Sequence, residues 1–187
     1  MKIESITPRI VRIAYHQEKG DKDYGSCMWA YFDFDLDRYM LNVQSDCGNA
    51  AYRWLETPDS ESFLHLMGRI DKDYLMWKFF QPEQIDVEAT MKNIREVMNL
   101  DEMDEDERED AESYLDEIEN QIDCCGSEAE AYRLICEWND EHDLELDDLF
   151  EITVKDFDYS QKKICRIFKE FIQPEIRKTL RATGEAD

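Results

Sequence analysis

The chain has 187 residues, a formal net charge of -24 at pH 7 and a hydrophobic content of 42%. This length and apolar content are enough to build a core. A surface this acidic repels a polyanion, which argues against ordinary nucleic-acid binding. Charges and a proline interrupt the opening residues MKIESITPRIVRIAY, and no apolar run approaches about 18 residues. We therefore expect neither a signal peptide nor a membrane span, but a cytoplasmic protein.

The negative charge is concentrated in one third of the sequence. Residues 1–100 carry 12 Lys+Arg and 17 Asp+Glu, residues 101–158 carry 3 and 25, and residues 159–187 carry 7 and 4. The net charges of these segments are therefore -5, -22 and +3. Halophilic adaptation would spread acidic residues over the whole surface, so this distribution favours one local acidic feature.

The N-terminal part of the chain has the alternation of β-strands. Apolar and polar residues alternate through MWAYFDFDL, YMLNVQS and AAYRWLE, with turn residues at Asp37-Arg38 and at DCGN. This pattern predicts an antiparallel meander of three strands. The preceding segment ITPRIVRIAY fits either a fourth strand or a short helix.

Helical signals follow the predicted sheet. Thr57-Pro58 has the form of an N-cap followed by proline, and Asp71 and Asp86 can cap two further helices. An acidic helix is predicted from Asp104 to Ile122. The next helix begins with the S-x-x-E capping box of Ser127–Glu130.

The last third is predicted to contain one strand and one helix. FEITV, from Phe150 to Val154, is a strand candidate, and Ser160 to Leu180 is a helix in which Pro174 marks a kink or a break. We predict a single α+β domain over residues 1–187, in which a small N-terminal antiparallel sheet packs with helices. Its segments are sheet plus helices (1–100), an acidic helical lobe (101–158) and a basic C-terminal helix (159–187).

The acidic block has the spacing of a folded helix. Ala111, Leu115, Ile118 and Ile122 recur at intervals of four and three residues, which makes one apolar stripe. Residues 104–123 hold 11 acidic groups and one Arg. At about 1.5 Å per residue, one net charge falls every ~3 Å, close to the ~3.4 Å charge spacing of a DNA strand. A cationic C-terminal helix could pair with this lobe or complete the fold.

Two other patterns are candidates for chemistry. Asp33, Asp35 and Asp37 would share one strand face and could hold Mg²⁺, although the solvent face of an amphipathic strand gives the same pattern. Cys47, in SDCGN, could be a nucleophile, but a tight turn is the simpler use of Cys47-Gly48-Asn49. The six cysteines form no CxxC pair, so no zinc ribbon or disulfide scaffold is predicted.

The stretch from Tyr24 to Leu75 resembles a group of small proteins from phages and prophages of gut Firmicutes, which share the run SDCGN, an aromatic pair and then ESFL. Some acidic phage proteins of this size are anti-CRISPR inhibitors, including inhibitors of Cas9. The resemblance implies a phage protein and a role against bacterial defence. It covers about a quarter of the chain and does not include the acidic lobe.

These observations predict a non-enzymatic inhibitor that imitates nucleic acid, without a cofactor. Its expected partner is Cas9 or the Cas9–guide RNA complex, whose basic groups hold the target duplex and its PAM. The alternatives are a phage enzyme that uses Cys47 or the Asp33/Asp35/Asp37 face, and a regulatory binder of another basic DNA-binding protein. The expected partner-binding residues are Asp104, Glu105, Asp106, Glu109, Asp110, Asp116, Glu117, Glu119, Asp140, Glu141, Asp143, Asp147 and Asp148.

Overall fold

The computed structural model describes residues 3, 5, 7–56, 61–100, 103–125, 127–142, 144, 146 and 149–183. The fold is α+β, as predicted, with a four-stranded antiparallel sheet in the N-terminal part of the chain. The elements are β1 (Ile10–His16), β2 (Trp29–Asp35), β3 (Met40–Ser45), β4 (Gly48–Arg53), α1 (Phe63–Arg69), α2 (Lys72–Phe79), β5 (Gln84–Ile85), α3 (Val87–Met98), α4 (Glu105–Asp123), α5 (Glu128–Glu141), α6 (Leu149–Ile152), β6 (Lys155–Asp156), α7 (Tyr159–Ile167), a π-helical turn (Phe168–Ile172) and α8 (Gln173–Thr183).

The chain divides into two compact units. Unit 1 contains residues 1–81 and 159–187, and unit 2 contains residues 82–158. The predicted single domain over residues 1–187 stays a prediction. No helix in the described part of the chain is long and apolar enough to cross a membrane.

The sheet of unit 1 is a meander in the order β1-β2-β3-β4. Strands β2, β3 and β4 confirm the predicted meander, and the ambiguous N-terminal segment is the edge strand β1. Ile13 pairs with Phe32, Phe32 with Val43, and Val43 with Ala50, so these side chains form one row on the same face. Phe32 and Val43 are buried, which shows that this is the core face.

The C-terminal helical segment belongs to the same unit as the sheet. The ring of Phe168 lies 6.1 Å from that of Phe32. Gln173 donates from Nε2 to the carbonyl oxygens of Met67 and Ile70 at 3.0 and 2.9 Å. The last carbonyls of a helix have no partner within it, so this buried amide satisfies the end of α1.

Pro174 lies in a continuous helical segment, where the sequence predicted a kink or a break. The π-helical turn Phe168–Ile172 comes directly before α8. A proline removes one backbone N–H and its ring crowds the carbonyl four residues earlier. A wider turn at this point accommodates both effects.

Helix α1 begins later than its predicted start signal. Ser62 is the N-cap, and its side chain accepts a hydrogen bond from the N–H of His65. The predicted start at Thr57-Pro58 lies outside the described residues. Asp71 and Asp86 cap α2 and α3 as predicted, by accepting from the N–H groups of Asp73 and Ala89.

Unit 2 has its own hydrophobic core, made mainly by α3, α4 and α5. The short strands β5 and β6 pair with each other. The buried members of this core are Met91, Ile94, Met98, Ala111, Leu115, Ile118, Ile122, Ile135, Trp138 and Ile152.

The strand predicted at Phe150–Val154 is wrong. Leu149–Ile152 is one turn of helix, and the strand begins at Lys155. Ile152 is buried in the unit 2 core, and its carbonyl accepts a hydrogen bond from Asn93 at 3.1 Å. Burial against α3 therefore overrides the local β-propensity of this segment.

Candidate partner-binding surface

The acidic helix α4 begins with a reciprocal cap. The Asp104 carboxylate accepts from the N–H of Glu107 at 2.9 Å, and the Glu107 carboxylate accepts from the N–H of Asp104 at 3.2 Å. Glu105, Asp106 and Glu107 occupy the first turn, where the helix dipole favours negative charge. The N-terminal part of the acidic run therefore stabilises the helix that carries it.

One face of α4 is buried. Ala111, Leu115, Ile118 and Ile122 are each at most 3% exposed, which is the stripe that the sequence predicted. Trp138 of α5 is also buried, and its indole N–H donates to the carbonyl of Tyr114 at 3.0 Å. This packing holds α4 as an ordered element.

The carboxylates of α4 fall into two rows. The first row, here called the acidic ridge, recurs at intervals of four and three residues and so lies on one side of the helix. At about 1.5 Å per residue it is ~27 Å long. The second row contains Asp106, Asp110 and Glu117. The acidic ridge is made by Glu105, Glu109, Glu112, Asp116, Glu119 and Asp123.

Few cations neutralise these rows. Arg108 lies 3.3 Å from Glu112, and Arg95 of α3 lies 3.4 Å from Glu119. Both pairs are exposed, so each contributes little to stability. Glu109, Asp110 and Asp116 have no ion pair with a described residue.

Four cations of the C-terminal helices have partners in their own unit. Arg166 and Lys163 lie 2.8 and 3.9 Å from Asp23. Arg177 donates from Nε to the carbonyl of Gly68 at 2.7 Å, and Lys178 pairs with Glu175. These basic side chains therefore contribute to unit 1.

The end of α5 adds further carboxylates beside α4. The ring of His142 stacks on Tyr114 with centroids 3.9 Å apart, which places the C-terminal end of α5 next to the middle of α4. Asp140 and Glu141 are exposed there. The predicted residues Asp143, Asp147 and Asp148 lie outside the described residues.

A groove opens at the C-terminal half of the acidic ridge. It has a volume of about 400 Å³, and its lining includes Asp116, Glu119 and Asp123 together with Val87 and Asn120. In such a groove the carboxylates can pair with the ammonium or guanidinium group of a Lys or Arg side chain, and Val87 can contact its apolar stem.

The sequence prediction omitted two members of the ridge, Glu112 and Asp123. The signal for them was the regular spacing of acidic residues, which places them on the same side as Glu109 and Asp116. Asp104, which the prediction included, caps α4 with its carboxylate. Its role in the structure is to stabilise the start of the helix.

The three aspartates near the β2–β3 turn are each paired with an arginine. Asp33 binds Arg12, with the closest atoms 2.5 Å apart, and Asp37 binds Arg9 at 2.6 Å. Asp35 is buried. Its carboxylate accepts hydrogen bonds from the backbone N–H of Asp37 and from the backbone and the side chain of Arg38. These bonds stabilise the β2–β3 turn, which contains Asp37 and Arg38.

Electrostatics agree with a structural role for these aspartates. Hydrogen bonds from the backbone N–H and the side chain of Arg9 lower the pKa of Asp37. The hydrogen bond with Asp33 raises the pKa of Arg12. The carboxylates therefore neutralise arginines that hold the sheet edge and turn.

Cys47 is the second residue of the two-residue turn Asp46-Cys47 between β3 and β4. The sequence predicted a tight turn at Cys47-Gly48-Asn49, but Gly48 and Asn49 are the first residues of β4. Its sulfur lies 2.7 Å from that of Cys27. The three histidines contact other groups: His16 packs on Tyr31, His65 bonds to Ser62, and His142 stacks on Tyr114. The Cys47 sulfur therefore lies beside the thiol of Cys27, whereas each histidine contacts a different residue.

Comparisons with curated proteins and with solved structures gave no significant match. The sequence model of Phage_phiTE_072, described as a phage family, matches residues 1–180 of the 187-residue chain. A match over this share of the sequence includes both the sheet and the acidic helices. The chain therefore belongs to this phage family.

Proposed function

We propose that this phage protein is a non-enzymatic inhibitor of a bacterial defence nuclease, and that it occupies a basic groove built for nucleic acid. The proposed partner is Cas9 or its complex with guide RNA. The observation that carries the proposal is the pair of carboxylate rows on α4, whose linear charge density is close to that of a DNA strand.

The proposed mechanism is competition for arginines and lysines. Cas9-type proteins hold the heteroduplex in a positively charged channel and read the PAM with arginines. Carboxylates on a packed helix are ordered before binding, so they lose little conformational freedom when they pair with guanidinium groups. The groove beside Asp116, Glu119 and Asp123 is the proposed seat of one partner cation.

An unfavourable arrangement of charges within unit 2 also supports a binding role. The last turns of α4 and α5 contain no basic residue. Asp123, Asp140 and Glu141 instead place negative charge at the helix C-termini, where the dipole opposes it. Carboxylates at these positions do not stabilise the helices, and binding to a basic partner would reduce the repulsion among them.

The test compares two variants with the same net charge. Glu109→Gln, Asp116→Asn and Asp123→Asn neutralise the acidic ridge in one protein. Its matched control neutralises three exposed glutamates of unit 1. Three lost contacts are expected to weaken binding to the Cas9–guide RNA complex by roughly 100-fold, whereas the control binds like the wild type. The control substitutions are Glu18→Gln, Glu56→Gln and Glu170→Gln.

Binding is measured by biolayer interferometry, and inhibition by cleavage of a target duplex. Equal weakening by both variants would assign the effect to net charge and would contradict a site on the ridge. Absence of binding to Cas9 both with and without guide RNA would reject Cas9 as the partner. Ridge-dependent binding to a basic repressor or nucleoid protein instead would support the regulatory alternative.

The enzymatic alternative is tested with Cys47→Ala and Asp35→Asn. An inhibitor that acts through the acidic ridge retains its inhibition in the folded Cys47→Ala and Asp35→Asn proteins. Loss of inhibition in the folded Cys47→Ala protein would favour chemistry at that thiol.

A further inference from the structure

Two cysteines far apart in sequence meet at one end of the sheet. Cys27 lies two residues before β2, and Cys47 lies in the β3–β4 turn. Their sulfur atoms are 2.7 Å apart. Cys27 is 1% exposed, whereas Cys47 is half-buried. Pairing of Ala30 with Ser45 in the β2–β3 ladder brings the two segments together.

Hydrogen bonds hold together the two segments that carry these cysteines. The Asp46 carboxylate accepts from the backbone N–H groups of Met28 and Trp29 at 3.0 and 3.4 Å. The N–H of Asp46 donates to the carbonyl of Trp29 at 3.4 Å. Ser45 Oγ accepts from the N–H of Cys47 at 3.3 Å. The contact is therefore part of an ordered hairpin end.

We propose that Cys27 and Cys47 are a redox-active dithiol that closes to an intramolecular disulfide when a peroxide oxidises it. Sulfur atoms in a disulfide are about 2.05 Å apart, so closure requires a movement of less than about 1 Å. This site is independent of the acidic ridge and of the proposed inhibition.

The half-buried Cys47 reacts first. Its thiolate attacks hydrogen peroxide, an S–O bond forms, the O–O bond breaks, and the departing oxygen leaves as water after taking up a proton. Cys27 sulfur then attacks Cys47 sulfur. The S–O bond breaks and a second water leaves, carrying the proton of the Cys27 thiol. The two sulfurs lose two electrons in total, and the peroxide oxygens gain them.

Asp46 is the positioning residue for the second step. Its carboxylate lies within 4.8 Å of both sulfurs. Burial raises the pKa of Asp46, but hydrogen bonds from Met28, Trp29 and the Cys27 thiol outweigh burial and lower it. Burial raises the pKa of the Cys27 thiol, so Cys27 stays protonated until it resolves the oxidised Cys47.

The geometry favours a disulfide over a metal ion. Two thiolates on one tetrahedral zinc ion, each at about 2.3 Å from it, are roughly 3.8 Å apart. The observed contact is much shorter. Both carboxylate oxygens of Asp46 are also occupied by backbone N–H groups.

The full-length reduced protein is treated with hydrogen peroxide, its remaining thiols are alkylated, and its tryptic peptides are analysed by mass spectrometry. Arg38 separates the two cysteines in sequence, so cleavage there releases a linked peptide pair. The expected result is a Cys27–Cys47 link that dithiothreitol reverses. Closure of this loop is expected to raise the thermal unfolding midpoint by roughly 5–10 °C.

Variants distinguish the two steps. Cys27→Ser is expected to leave Cys47 as a sulfenic acid that dimedone traps, and Cys47→Ser to abolish the link. Cys124→Ser, at an exposed cysteine, is the matched control and retains it. A wild-type protein in which Cys47 is oxidised without linking to Cys27 would overturn the proposal. So would stoichiometric Zn²⁺ binding by the reduced protein that both Cys47→Ser and Asp46→Asn abolish.

Discussion

At the residue scale, the carboxylates of this protein fall into two groups, those that are paired with an arginine and those that are not. In unit 1, Asp33 is paired with Arg12 and Asp37 with Arg9. Glu109 and Asp116 of the acidic ridge have no such partner among the described residues. The sequence alone could not separate these cases, because Arg9 and Asp37 are far apart along the chain and only strand pairing brings them together.

The Arg9–Asp37 pair predicts a pH dependence of stability. Backbone and side-chain hydrogen bonds from Arg9 lower the pKa of Asp37 below its ordinary value of 3.8. The folded state therefore binds this proton less readily than the unfolded state. The stabilisation is complete above the unfolded pKa and is lost as the pH falls through the folded pKa. We expect Asp37→Asn to lower the thermal midpoint at about pH 6, and to lower it by less as the pH falls through the folded pKa of Asp37.

Circular dichroism melts of the wild type and Asp37→Asn at a series of pH values measure this difference. Subtracting the two curves removes the titration of the other carboxylates, which both proteins share. A difference in midpoint that is the same at both ends of the pH range would show that Asp37 acts through packing and not through its charge.

At the scale of elements, three helix caps were predicted correctly from sequence, and one segment whose structure depends on a distant contact was not. The caps at Asp71, Asp86 and Ser127 depend on a side chain and a backbone N–H within three residues, so sequence spacing is sufficient to find them. The helical turn Leu149–Ile152 depends on burial against α3. No local pattern predicts that contact.

The position of a carboxylate along its helix predicts the sign of its effect on stability. Glu105→Gln with Asp106→Asn removes negative charge from the N-terminus of α4 and is expected to destabilise the protein. Asp140→Asn with Glu141→Gln removes it from the C-terminus of α5 and is expected to stabilise the protein. Each substitution should contribute a few tenths of a kcal/mol.

Urea unfolding of the two double variants checks this expectation, since both change the net charge by the same amount. If both variants were stabilised equally, general repulsion would outweigh the helix dipole. If both were destabilised, the carboxylates at the end of α5 would have favourable partners, and the argument from unfavourable charge placement would fail.

At the scale of the whole molecule, the strongly acidic segment of the sequence falls within one of the two compact units. Residues 101–158, with a net charge of -22, lie within unit 2. The sheet and the basic C-terminal helices belong to unit 1. Unit 2 has a hydrophobic core of its own, so the acidic surface is supported by burial and does not depend on internal neutralisation.

Salt is therefore expected to act in opposite directions on stability and on binding. Raising NaCl from about 0.05 M to about 0.5 M screens repulsion among the carboxylates and should raise the thermal midpoint. The same change should weaken partner binding, mainly through a slower association rate. Calorimetry and stopped-flow binding measure the two effects. Binding that did not respond to salt would contradict an interface formed by the acidic ridge.

The sequence by itself determined the α+β class, the meander, the caps at Asp71, Asp86 and Ser127, and the buried stripe of α4, because each follows from alternation, periodicity or contacts within one turn. Tertiary structure decided that the N-terminal segment is a strand, that residues 149–152 are helical, and which carboxylates are paired. It also brought Cys27 to Cys47. Each of these outcomes depends on contacts between residues distant in sequence, which strand pairing and burial create and local spacing does not record.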